Sequence, residues 1–480
     1  QSAGLEKTST GTLTLKDDSK EAGSLTATGG NNAAGIGGGF QGNGENITIT
    51  GGTVTATGGF SAAGIGGGRE GKGENITITG GTVNATGNED GAGIGGGSSG
   101  SGENITITGG TVNATGDGGA GIGGGNGGDG KNITITGGTV TAAGGEFAAG
   151  IGGSNGGSGN NITIKGGTVT ATGGGYRGNS GAGIGGGSSG SGENITITDG
   201  KVTATGGNYA AGIGGGSVGA WGGDAGSGKN ITITGGTVNA TGTDGGAGIG
   251  GGGAAASDIE LWGSNGGNGE DITINGGKVN ASGAYGGAGI GGGVNGIGSK
   301  VTVSGAAQVT ATATGSGPDW SGVGTGATIG NGGSKTPDGP VDGKEIQADI
   351  SHLTTGYIHH IIYNPDLDSD GKPDGILKEW WEFALPKPIP DGESLDLHVE
   401  TLEGDPLPFD ARQQGSTLRV TSNDLAARLH GTRQALEALR EQGVEQIQFV
   451  TTLKTTTLSV AELLAEGGSW FALEHDGLVS

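Results

Sequence analysis

Most of the first 330 residues repeat a unit of about 29 residues, and a unit that short has to stack on copies of itself to bury its apolar side chains. The unit reads Asn-Ile-Thr-Ile-Thr-Gly-Gly-Thr-Val-Thr-Ala-Thr-Gly, then Ala-Gly-Ile-Gly-Gly-Gly, then a Gly/Ser turn. Its first Ile falls at 47, 76, 105, 133, 162, 195, 231 and 272, and Val301 closes the series. The spacings are 29, 29, 28, 29, 33, 36, 41 and 29. A degenerate copy begins at Leu13, which makes about ten coils.

Each unit holds three short stretches separated by Gly corners. In Ile47-Thr48-Ile49-Thr50 and Val54-Thr55-Ala56-Thr57, apolar and polar residues alternate with the period of a strand. Ala63-Gly64-Ile65 alternates apolar residues with Gly. Three strands and three corners per coil predict an all-β, right-handed parallel β-helix with three short sheets. Ile47, Ile76 and Ile105, Val54, Val83 and Val112, and Ile65, Ile94 and Ile122 then stack in interior columns. Asn46, Asn75, Asn104, Asn132, Asn161, Asn194 and Asn230, with Asp271 next, are expected to form a side-chain ladder along the rod.

Composition divides the chain near residue 344. The first part holds 114 of the 125 Gly and no His; the second holds 11 Gly and all six His. The expected layout is a Gly/Thr-rich solenoid over 1–330, a linker over 331–344 and an acidic α+β domain over 345–480. In the tail, Leu425, Leu429, Thr432, Leu436 and Leu439 follow a helical stripe, with Asn423 as N-cap and Gly443 past the end. Val444–Thr451 then reads as a strand, and Ser459 as the cap of a second short helix.

High Gly suggests collagen or disorder, but there are only 10 Pro and no three-residue period, and β-branched residues recur throughout. No Cys means no disulfide framework and no thiolate site. A net charge of −24 argues against nucleic acid as a partner. No apolar run approaches the length of a membrane span. A start at Gln1, with no Cys and abundant Gly and Thr, suggests an exported protein of the extracellular space or cell surface.

Repeated Gly-x-Gly-x-x-Gly matches lack the following helix that a phosphate cradle needs, so they read as structural corners. The coils carry Thr or Asn at nearly every outward site and no His, which argues against an enzyme. Thr48, Thr77, Thr106, Thr134, Thr163, Thr196, Thr232, Thr273 and Thr302 fill one outward column. A second is broken by Lys16, Lys165, Asn275 and Ser304. Such a grid resembles the surface of β-helical ice-binding proteins; the plain alternative is that Thr suits solvent-facing strands.

The irregular features carry more information. One corner expands in two consecutive coils and holds Trp221 and Asp224, then Asp258, Glu260 and Trp262. A second corner carries Phe147, Tyr176 and Tyr209. Aromatic faces stack on sugar rings and carboxylates bind their hydroxyls, so these eight residues are the candidate ligand site. The alternative is that they plug the edge of the rod. In the tail, Asp366, Asp368, Asp370 and Asp374 alternate around Gly371, the spacing of a calcium loop, although Leu377 stands where the bidentate Glu of an EF-hand would be. Calcium is the expected cofactor there, and a solvated acidic turn is the alternative.

The repeat consensus resembles the glycine-rich β-helix repeats of surface proteins from anaerobic Gram-positive bacteria. Val444-Glu-Gln-Ile-Gln-Phe-Val-Thr and Leu458-Ser-Val-Ala-Glu-Leu-Leu are similar to segments of the same kind of protein. That resemblance implies a non-enzymatic surface stalk or adhesin, with a polysaccharide or cell-surface glycan as partner. The alternatives are a structural spacer or a filament subunit that self-associates end to end through an uncapped solenoid end. Ice binding is the third.

Overall fold

The computed structural model describes residues 2–8, 10–18, 23–219, 223–254, 265–315, 323–336, 338–365, 375–383 and 397–476. They form two compact units: Gln1–Asp349 with Ile358–Trp381, and Ile350–Tyr357 with Glu382–Ser480.

The first unit is a parallel β-solenoid with three sheets. Strands such as Gly102–Ile107 build a ten-stranded first sheet, strands such as Thr111–Thr115 a twelve-stranded second, and two-residue strands such as Ile122–Gly123 an eleven-stranded third. Each position pairs with its equivalent one coil away: Ile105 with Ile76 and Ile133, Val112 with Val83 and Val140, Ile94 with Ile65 and Ile122. These interior columns are fully buried. The outward Thr column is likewise in register, Thr77 with Thr106 and Thr106 with Thr134, while Lys201 and Lys278 interrupt the outer face of the second sheet.

Two backbone requirements explain much of the repeat's wording. The Asn column sits inside the first-sheet strands with positive φ, 55° at Asn46, 53° at Asn75 and 54° at Asn104. Asn tolerates that left-handed conformation better than other side chains. Its amide also joins the expected ladder: Asn75 donates to Asn46, Asn104 to Asn75, Asn132 to Asn104 and Asn161 to Asn132, at 3.0–3.2 Å. Asn104→Ala removes both advantages. A loss of about 1–2 kcal/mol is expected, read as a lower denaturation midpoint.

The third sheet is built on Gly. A Cβ on Gly93 would lie 2.7 Å from the carbonyl oxygen of Gly121, and one on Gly121 would lie 2.7 Å from that of Gly150. The pattern continues up the stack to Gly289, whose Cβ would meet the oxygen of Thr328. Thr328 occupies the same column in the last coil, where no further coil lies above it.

That end is capped. Ile346 N–H donates to Ile329 O and Asn331 N–H to Lys344 O, covering the third sheet. Asp349 bridges Val301 and Val303 of the first sheet at 2.8 and 2.9 Å. The strand Tyr357–Tyr363 lies beside Gln308–Thr314 in the second sheet, with Ile376–Phe383 beyond it. The solenoid unit therefore extends beyond residue 330, and part of the expected linker is an antiparallel hairpin, Ser334–Thr336 with Gly339–Val341. The expectation of an uncapped end does not hold here, because these segments take up the hydrogen bonds that a further coil would use.

Among its described residues the second unit has two four-stranded sheets and two helices around a core that includes Val399, Val420, Leu429, Leu436, Leu439, Ile447 and Phe449. One expectation is corrected. The helix is Arg433–Glu441, and the residues before it form the strand Ala427–Thr432. Leu429 points inward with Ala427 and Gly431 by strand alternation, and Leu425 is exposed. Thr432, rather than Asn423, caps the helix by accepting from Ala435 N–H. Gly443 follows its end with positive φ, and Ser459 caps Val460–Ala465 as expected.

Candidate functional site

Because the third-sheet strands are only two residues long, the turns on either side of them lie next to each other. They join by a hydrogen bond that recurs along the rod: the turn after the second sheet accepts from the turn after the third sheet of the next coil. Ser61 O accepts from Ser98 N–H, Asp90 O from Asn126, Phe147 O from Ser188, Tyr209 O from Gly253 and Gly245 O from Val294, at 2.6–2.9 Å. The two corners read from the sequence are thus one continuous ridge.

By the bounds of the described strands, the 33-, 36- and 41-residue coils lengthen in the turns of this ridge. The first expansion is the small hairpin Gly175–Tyr176 with Asn179–Ser180. Asn179 Oδ1 accepts from Gly219 N–H at 2.8 Å, and Ser217 Oγ donates to Gly178 O at 2.8 Å, which ties this hairpin to the loop of the following coil. Val218 bridges Ala254, and these two with Ala225 make a small buried apolar cluster. The expanded turns therefore support one another.

The sequence-predicted residues separate on this ridge. Tyr176 is exposed, and its ring meets that of Phe147 edge-on at 6.0 Å. The Arg177 guanidinium lies 5.0 Å from the Tyr176 ring centroid, a cation–π contact that fixes the ring. Tyr209, by contrast, is buried, so it does not join an exposed ligand surface. A Cβ on Gly245 would meet both Val294 and Tyr209, which places these side chains around one small glycine. Burial raises the Tyr209 phenol pKa, as does the charge of Asp244, and burial also raises the Asp244 carboxyl. Asp224 is exposed and accepts from Asn265 Nδ2 at 2.9 Å. Trp221, Asp258, Glu260 and Trp262 lie outside the described residues, as do Asp366, Asp368, Asp370 and Asp374.

Nine stretches of the rod match the Beta helix repeat family, at residues 21–40, 47–69, 76–98, 105–126, 133–157, 162–188, 195–217, 231–253 and 272–294. The chain is a parallel β-helix repeat protein. No curated protein and no solved structure is significantly similar to this β-helix protein. Among its described residues, no helix is long and apolar enough to cross a membrane. No group of three or more His, Asp or Glu among them is arranged to hold a metal ion.

The sequence singled out the aromatics but not Arg177 or Asn179, which organise the ridge around them. Arg177 takes the αL conformation, with φ of 51°, and its guanidinium lies over Tyr176; no residue pattern announces either.

Proposed function

We propose that this β-helix is an extracellular, non-enzymatic surface protein whose rod carries a polysaccharide-binding ridge. The observation that supports this reading is the gathering of Phe147, Tyr176, Arg177 and the expanded turns on one edge. The outer faces of the other two sheets repeat Thr and Asn with a column of Glu and Lys, and carry none of these aromatic rings. A fixed aromatic ring beside a guanidinium offers a stacking face and planar hydrogen-bond donors, which suits a pyranose ring and its hydroxyls.

Glycan-array binding of the native chain and of a Phe147→Ala/Tyr176→Ala variant tests the proposal. The expected result is native binding that falls by about tenfold in the variant, the loss expected for two aromatic contacts. Equal binding by both forms rules out the ridge as the site. No binding by the native chain leaves the rod as a spacer, a role that its unbroken strand register also favours.

A further inference from the structure

The second unit carries a row of rings that none of the functional readings uses. Its sheet with strands Leu397–Glu400, Ala427–Thr432 and Trp470–His475 turns Leu397, Val399, Ala427 and Leu429 toward the core. Alternation therefore puts His398, Glu400, Arg428, His430, Trp470 and Glu474 on the opposite face. His398 stands directly across from His430, with ring centroids 4.7 Å apart. The His430 ring in turn stacks on Trp470, at 5.4 Å and an interplanar angle of 20°. Three rings from three strands thus make one column. Trp470, at its end on the last strand of the sheet, is 61% exposed.

Beside the column runs a second row. Arg428 donates from Nε to Glu474 at 2.7 Å, from Nη1 to Glu400 at 2.9 Å and from Nη2 to the carbonyl of Leu402 at 3.2 Å. The guanidinium is held flat on the sheet by two carboxylates that keep lone pairs for further donors. Glu400 also lies 3.5 Å from His398 Nε2, which connects the two rows.

A tryptophan this exposed adds nothing to the core, yet its ring is held in one orientation by the stack beneath it. Preorganised rings lower the ordering cost of binding. From this geometry we infer that the Trp470–His430–His398 column and the Glu400–Arg428–Glu474 row together bind a neutral polysaccharide. A sugar ring continues the column on the outer face of Trp470, and hydroxyls pair with the carboxylates. The row carries one net negative charge and the whole chain −24, so a polyanionic chain is disfavoured. This inference rests on the polysaccharide reading and adds a second contact site to it.

The test is affinity electrophoresis of the full chain through gels containing neutral glucans, mannans or xyloglucan. The native chain, Trp470→Ala, Trp470→Tyr and Phe147→Ala/Tyr176→Ala are run side by side. Trp470→Ala is expected to weaken retention about three- to tenfold, with Trp470→Tyr keeping most of it. The His398 and His430 C2–H proton resonances of the native chain are expected to move when an oligosaccharide is added. Full retention by Trp470→Ala, with loss in the ridge variant, overturns the second site and leaves the ridge standing. Loss in Trp470→Ala alone does the reverse. Native protein that is retained by no polymer overturns both. Loss in Trp470→Ala without movement of the two histidine resonances assigns the effect to folding and also overturns the site.

Discussion

Gly123→Ala is expected to destabilise the rod by on the order of 4 kcal/mol, while Gly127→Asn, four residues away, leaves it nearly unchanged. Gly123 lies in a third-sheet strand with φ of 137°, a conformation that L side chains rarely adopt. A Cβ there would also sit 2.0 Å from the carbonyl oxygen of Gly152 in the next coil. The obstacle is backbone, so no rotamer change relieves it, and moving the strand breaks the pairing of Ile122 with Ile151. Gly127 also has positive φ, at 80°, but nothing lies within 4 Å of its would-be Cβ. The same turn position holds Gln41, Glu70 and Ser99 in other coils. Denaturation midpoints of both variants, followed by far-ultraviolet circular dichroism, decide the point. A Gly123→Ala midpoint equal to the native one would show that the coils can separate locally without loss, against the tight stacking described above.

The second large effect concerns the cap. Thr328 N–H and Ile329 N–H both donate to the Glu345 carboxylate, at 2.6 and 3.1 Å. The Thr328 hydroxyl lies 3.0 Å from each Glu345 oxygen and 2.6 Å from His360 Nδ1. With the carboxyl ionised, the consistent order is His360 Nδ1–H to Thr328 Oγ, and Thr328 Oγ–H to Glu345. Thr328→Val keeps the shape and removes the relay, taking one hydrogen bond from the buried His360 and one from the half-buried Glu345, which keeps its two N–H donors. The expected cost is about 2–3 kcal/mol, and Thr328→Ser should recover most of it. A Thr328→Val midpoint within error of the native value would mean that the relay contributes nothing to the cap.

The same cluster predicts acid sensitivity. Burial, aided by the charges of His359 and Lys378, lowers the His360 pKa from 6.5 to about 4. Between those values the unfolded chain binds the proton and the folded chain does not. His360's contribution is therefore complete above pH 6.5 and lost as pH falls toward 4, on the order of 3 kcal/mol in all. Glu345 acts in the opposite direction. Burial raises its pKa, so its contribution is present below the ordinary value of 4.5 and fades as pH rises through the folded one. The net loss on acidification is smaller than His360 alone would give. His360→Gln is expected to flatten the change in midpoint between pH 7 and pH 5, and an unchanged slope would remove His360 as its source.

Much of the fold was legible because the repeat states each constraint about ten times. Alternation at Ile47, Ile49, Val54 and Ala56 gave the strands and their inward faces, and equal spacing gave the register. The ridge was legible only in pieces. Its aromatics and long turns were visible, but their convergence depends on a third sheet of two residues, whose shortness is not written in any one residue. Nor was the burial of Tyr209, since it depends on Gly245 and Val294 from later coils. Thr328 did depart from the Ala-Gly-Ile-Gly pattern in the sequence, yet only the geometry shows that a side chain there faces the end of the stack. The period error at 425–432 has a similar origin: leucines four apart fit a helical stripe and a strand equally well.

The ridge also settles where this architecture tolerates growth. Coils of 28 to 41 residues coexist in one rod because every added segment leaves through a turn beside the third sheet, and the other two sheets keep their lengths. The turns that carry the added segments recur at a pitch of about 4.8 Å per coil, like the roots of teeth on a comb. Chain length can thus diversify tooth by tooth while the shaft stays the same, and the order of the coils in the sequence becomes the order of the attachment turns along the rod.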